Sequence, residues 1–107
     1  MNHKEHLMTI AAEEAMEVGH RITKALRFGL LEVQAGQDLS NGERIVQEFH
    51  DLFAMLDWLS EEHLPGVSLM PSISTMEAKR AKVRKFMAIS EREGTLDPTQ
   101  ALQEVKR

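Results

Sequence analysis

Leu7-Met8-Thr9-Ile10-Ala11-Ala12-Glu13-Glu14-Ala15-Met16-Glu17-Val18-Gly19-His20-Arg21-Ile22 is the stretch on which the reading of the fold turns. Leu7, Ala11, Ala15, Val18, Ile22 and Ala25/Leu26 recur at steps of three and four, the spacing of one face of an α-helix. The spacing predicts an amphipathic helix from about Lys4 to Phe28. Gly29 stands where a C-terminal glycine belongs, and Lys24 and Arg27 lie in the last turns, where cations suit the helix dipole. Gly19 is an interior glycine, which costs roughly 1 kcal/mol against alanine unless something packs closely there.

Outward from that helix, residues 30–39 read as a polar connection with a helical turn at residues 30–33. Ser40-Asn41-Gly42-Glu43 is a capping box and opens a second helix to about Glu61, with Ile45, Phe49, Leu52, Leu56 and Leu59 as its apolar stripe. His63-Leu64-Pro65-Gly66 ends it. Ser74-Thr75-Met76-Glu77 repeats the capping pattern and predicts a third helix ending before Gly94. That helix has a narrow apolar face (Met76, Val83, Phe86, Met87) and a basic one (Lys79, Arg80, Lys82, Arg84, Lys85). Asp97-Pro98 offers the start of a short fourth helix, so that residues 94–107 form a peripheral or frayed tail. No strand alternation is present. The expectation is an all-α fold, a single domain over residues 1–107, built as an antiparallel bundle of three main helices plus a short C-terminal one.

The acidic residues point to chemistry. Glu14 and Glu17 project from one face of the first helix with Glu13 close to Glu17, and Glu48 and Asp51 share a face of the second. If the two helices run antiparallel, these carboxylates converge. Glu48 falls at the edge of its apolar stripe, where a carboxylate is partly desolvated and needs a partner. Converging carboxylates need a cation, and an all-oxygen donor set favours magnesium, with manganese as a substitute, before zinc. On the first helix Glu13, Glu17, His20, Lys24 and Arg27 form one polar ridge. The bland account of the ridge is a solvated face laced with ion pairs. In the metal reading, Lys24 and Arg27 are placed to meet phosphate oxygens.

Composition narrows the choices. A formal net charge of −4 argues against nucleic-acid binding. With no cysteine, disulfides and thiolate metal sites are excluded. The N-terminus has no apolar signal core, and no apolar run approaches the roughly 18 residues of a membrane span, so a cytoplasmic protein is expected. No phosphate-cradling Gly-x-x-x-x-Gly-Lys loop or dinucleotide Gly-x-Gly-x-x-Gly is present. Histidines at positions 3, 6, 20 and 50 form no zinc motif beyond a weak His-x-x-His. Three helices with one moderate stripe each make a thin core, and the first helix is broadly apolar beyond its stripe. A second copy of the chain is therefore the expected partner.

The pattern Glu13-Glu14-Ala15-Met16-Glu17, a spacer, then Glu48-Phe49-His50-Asp51 resembles the signature of the MazG-like all-α nucleoside triphosphate pyrophosphohydrolases. Ile22 to Gly29 and Asn41 to Ile45 look like the short phage and bacterial members, and the resemblance covers about Leu7 to Leu59. It implies hydrolysis of a nucleoside triphosphate to the monophosphate and pyrophosphate, and a homodimer or homotetramer. By the same resemblance Glu14, Glu17, Glu48 and Asp51 would hold magnesium, with Glu13 as a further ligand or water-orienting base. Many relatives have glycine where this chain has His50, and larger ones carry a helix ahead of the first motif. Part of the nucleotide pocket is therefore expected from the third helix, with Lys79 as a phosphate contact, or from a second subunit. The competing expectation is a non-catalytic helical oligomeric binding module that retains the acidic site.

Overall fold

The computed structural model describes residues 1–97. Three helices follow in order, α1 (His3–Phe28), α2 (Asn41–His63) and α3 (Ile73–Arg92), with no strand among the described residues. The fold is all-α. The short helix expected after Asp97-Pro98 lies outside the described residues. Two compact units divide the chain, Met1–Leu69 and the part from Met70 onward.

In the first unit α1 packs on α2. Leu7, Ala11, Glu14, Val18, Arg21 and Ala25 are the buried or half-buried positions spaced four and three apart along α1. Asn41, Ile45, Glu48, Leu52, Met55 and Leu59 form the matching row on α2. This alternation is the 3.5-residue repeat that keeps one seam facing a partner helix. The seam differs from the stripe expected on α1 by one residue at two places. Glu14 and Arg21 lie half-buried, whereas Ala15 is exposed and Ile22 is 50% exposed. Two apolar rows run side by side on α1, and α2 covers the one that carries the charges. Contacts fix the pairing: His3, at the start of α1, lies 2.9 Å from Glu62, near the end of α2. Arg21 approaches Glu48 at 3.9 Å.

The end of the unit where α1 leads into α2 is closed by Asn41, only 2% exposed. Its side-chain amide donates to the Gly29 carbonyl (2.8 Å) and the Glu32 carboxylate (3.2 Å). The backbone N–H groups of Asn41 and Gly42 donate to the carbonyls of Glu32 (2.9 Å) and Leu30 (2.8 Å). Those carbonyls are therefore not free for helical bonds, and the expected helical turn over residues 30–33 is reduced to a turn at Leu30 and Leu31. Gly42 lets the two segments come close here, since a Cβ would meet the Leu30 carbonyl oxygen at 3.2 Å and push it back by a few tenths of an ångström. Ser40 and Glu43 form the expected capping box, and the Ser40 backbone and hydroxyl hold the Glu43 carboxyl below the usual carboxylate range. At the other end Trp58 donates its indole N–H to Glu62 (2.8 Å), His3 sits edge-on to Trp58, and His63 flanks Glu62 at 3.7 Å. The Trp58 bond first, then His3, lowers the pKa of Glu62.

In the second unit α3 begins two residues earlier than the sequence pattern suggests. Ser72, not Ser74, is the N-cap, its hydroxyl accepting from the Thr75 N–H at 3.3 Å. Ser74 is engaged with the Ser72 hydroxyl at 2.9 Å, and Glu77 reaches forward to Arg80 at 3.4 Å instead of back to a cap. Pro71 sits just outside the helix, where it biases the residue before it away from helix and leaves Ser72 free to cap. Leu96 is half-buried, and Thr95 and Leu96 donate backbone N–H bonds to the Ser90 carbonyl, finishing the helix.

Removing the Asn41 amide takes away the part-buried hydrogen bonds to the Gly29 carbonyl and the Glu32 carboxylate and empties a buried side-chain position. Asn41→Ala should lower the unfolding free energy by about 1–3 kcal/mol, measured by urea titration. Ser40→Ala, a cap loss, should cost about 1 kcal/mol in the same assay.

Candidate metal centre

The middle of the α1–α2 seam is acidic. One carboxylate oxygen each from Glu14, Glu48 and Asp51 lies within 4.8 Å of the others, so two helices contribute to one cluster. Glu14 and Glu48 are half-buried seam residues, and Asp51, one turn past Glu48, is exposed at the seam's edge. Helix periodicity places them there: Glu14 takes the seam position between Ala11 and Val18, and Glu48 the one between Ile45 and Leu52.

The electrostatics carry the mark of this crowding. Desolvation pushes the Glu14 carboxyl above its ordinary value of 4.5, and the charges of Asp51, Glu48, Glu17 and Glu13 push it the same way, in that order. Glu13 and Glu17 therefore act on the cluster through their charge, though neither belongs to the close group. Both are exposed.

The fit to a hard divalent cation can be judged from the donors. Opposite ligands around magnesium stand about 4.2 Å apart, given metal–oxygen distances of about 2.1 Å. Neighbouring ligands stand about 3.0 Å apart, and three donors hold at most one opposite pair, so oxygens within 4.8 Å of one another have to draw in before all three bind one ion. All three donors are oxygens, and desolvation first, then the neighbouring carboxylates, disfavour the charged form of Glu14. An all-carboxylate donor set suits hard divalent cations as a class and does not single out one of them. It offers nothing that selects zinc.

Arg21 was not singled out by sequence pattern. It lies on the seam two turns past Glu14, with its Nε 3.9 Å from Glu48. That Nε is buried and makes no hydrogen bond. The signal available in the sequence was its seven-residue spacing from Glu14, which puts both in one heptad position. Lys24 is half-buried on the same ridge as Glu13 and Glu17. Arg27 is exposed, with its guanidinium 4.8 Å over the Phe28 ring. Lys79 lies exposed on α3, in the second unit. Trp58 is 45% exposed and tied to Glu62, so it is not a core residue. His3 pairs with Glu62 rather than serving with His6, and His50 lies against the Phe49 ring.

No family model matches the chain, and no curated protein or solved structure is significantly similar to it.

The raised Glu14 pKa has a thermodynamic consequence. The folded state binds the proton more tightly than the unfolded chain, so stability falls as pH rises from the ordinary carboxyl value of 4.5 through the raised one. In EDTA, Glu14→Gln should therefore melt higher than the parent at pH 7. The advantage should shrink as both proteins are taken toward pH 4, where the parent carboxyl is protonated too. A Gln variant that melts lower at pH 7 would mean that the seam favours the charge.

Proposed function

We propose that this chain is a magnesium-dependent nucleotide pyrophosphohydrolase of the MazG-like kind, converting a nucleoside triphosphate to its monophosphate and pyrophosphate. The reading includes an antiparallel α1–α2 hairpin, manganese as a substitute metal, a homodimer or homotetramer, and action on cytoplasmic nucleotide pools. The observation that carries it is the convergence of Glu14, Glu48 and Asp51 from two helices, with the fields of Glu13 and Glu17 added. Four further carboxylates near Glu14 are hard to account for as a stabilising feature, because each raises the cost of ionising it.

In this reading Glu14, Glu48 and Asp51, joined by Glu17, hold the cation. Bound magnesium neutralises polyphosphate charge and favours attack at phosphorus. Glu13, exposed at the rim, accepts a proton from the attacking water at a carboxylate oxygen. Water oxygen bonds to the α-phosphorus, the bond to the bridging oxygen breaks, and pyrophosphate departs with its electron pair. Lys24 and Arg27, further along the same ridge, offer cations to the phosphate oxygens.

One observation favours the alternative of a non-catalytic helical binding module. Arg21 beside Glu48 already supplies a cation to the seam, as a structural ion pair would.

Pyrophosphate release from a panel of ordinary and modified nucleoside triphosphates, with magnesium and with EDTA, separates the two. The hydrolase reading expects magnesium-dependent release that falls at least about 100-fold in Glu48→Gln and in Asp51→Asn, the upper range seen even for residues that only support metal ligands. Activity retained in both variants would overturn the site. No release from any nucleotide by folded protein would favour the module.

A further inference from the structure

A second group of metal-ligating side chains lies where α1 begins and α2 ends. His3 is the first residue of α1, and Glu62 and His63 are the last two of α2. The Nε2 atoms of both histidines face a single oxygen, Glu62 Oε2, at 2.9 Å from His3 and 3.7 Å from His63. The other carboxylate oxygen, Oε1, accepts from the Trp58 indole N–H at 2.8 Å. That bond is the largest of the influences that hold the Glu62 carboxyl below its ordinary value. The carboxylate is thus fixed through one oxygen, with two imidazole nitrogens gathered at the other. No sequence motif announces the group, because His3 and Glu62 stand 59 positions apart.

An ion pair accounts for His3 and leaves His63 unexplained, since 3.7 Å is too long for a hydrogen bond. A metal ion accounts for both. Donors on one tetrahedral zinc stand about 3.4 Å apart, given bond lengths of about 2.0–2.2 Å. The two separations fall on either side of that spacing. The ring centres of His3 and His63 are 6.5 Å apart, so His63 has to turn toward His3 before both bind one ion. Both residues are exposed, which leaves the rings room to turn. Ligating carboxylates are themselves hydrogen-bonded, and the Trp58 indole supplies that bond. Two imidazole nitrogens with one carboxylate oxygen suit zinc, and nickel or copper after it, whereas the all-oxygen cluster in the middle of the seam suits harder ions.

We propose that His3, Glu62 and His63 bind a zinc-like divalent cation that clasps the start of α1 to the end of α2, with Trp58 orienting the carboxylate. The fourth tetrahedral position is left to water. The site does not depend on the hydrolase reading. His3 and Glu14 are eleven residues apart on α1, about 16 Å along the helix axis, and the two groups share no residue.

Trp58 is the chain's one tryptophan, and its ring centre lies 5.9 Å from that of His3, so its fluorescence reports on this site. Nickel, whose open d shell quenches a nearby indole, should quench the full chain saturably, and zinc, with its filled shell, should displace it and restore the emission. The nickel concentration needed should rise at least about 100-fold in His3→Gln and in His63→Gln, and should stay at the parent's value in His6→Gln and Glu14→Gln. By calorimetry, zinc affinity should fall at least about tenfold in Trp58→Phe, the lower end of the loss when a ligand's supporting hydrogen bond is removed. Equal quenching of the parent and His63→Gln would overturn the proposal. So would loss of quenching in His6→Gln, which would put the ion on His3 and His6, or in Glu14→Gln, which would put it on the carboxylate cluster. A parent that binds neither metal would overturn it too.

Discussion

Helix seams normally exclude like charges, yet Glu14 and Glu48 occupy facing positions of this one with Asp51 drawn against them. The rest of the first unit is arranged so that the repulsion does not part the helices. One end is fastened by Asn41 across Gly29 and Glu32, and the other by Glu62 with His3 and Trp58. Leu7 and Ala11 lie buried on one side of the charged stretch and Ala25 on the other. The carboxylates sit between two closures, as far from fraying ends as the unit allows. Arg21 answers part of their charge without making a full hydrogen-bonded pair, because its nearest approach to Glu48 is 3.9 Å.

Much of this was legible in the sequence, and the limits have physical causes. Chemical signals at helix ends were read correctly where the cap is local: Ser40 with Glu43, and Gly29 with its φ of 102°. Ser72 was missed in favour of Ser74 because both precede a hydroxyl or acid at the right distance, and only backbone geometry chooses between them. The seam on α1 was misplaced at Ala15 and Ile22 because two neighbouring rows are both apolar. Periodicity shows that a face exists, but only the partner helix decides which of two rows is covered. Asn41 looked like an ordinary first helical residue. Its partners lie nine and twelve positions back, along a connection whose path no local pattern encodes. The gathering of Glu14, Glu48 and Asp51 was readable because each motif is internal to one helix and needed only the pairing of the two. Glu17 was expected among the close carboxylates and stands outside them, one turn along and exposed.

The same alternation of four and three residues accounts for the seam and, shifted by one, for the apolar rows beside it. A helix that keeps both in register is constrained on about half its circumference. Its charged ridge is confined to what remains. This explains why Glu13, Glu17, Lys24 and Arg27 fall in a single line rather than scattering over α1. It also explains why α1 can be broadly apolar while burying few side chains within its own unit.

The cluster draws its oxygens from one chain alone. Mass action therefore makes the proposed cation site a property of a single copy. Occupancy by the proposed cation would depend on the free concentration of the ion and would be, to first order, indifferent to dilution of the protein. It would favour the folded α1–α2 unit over the unfolded chain, in proportion to the logarithm of the ion concentration once that exceeds the dissociation constant. Even an isolated copy carries these three oxygens, so through the proposed site a change in ionic conditions would reach its stability without waiting for an encounter between copies.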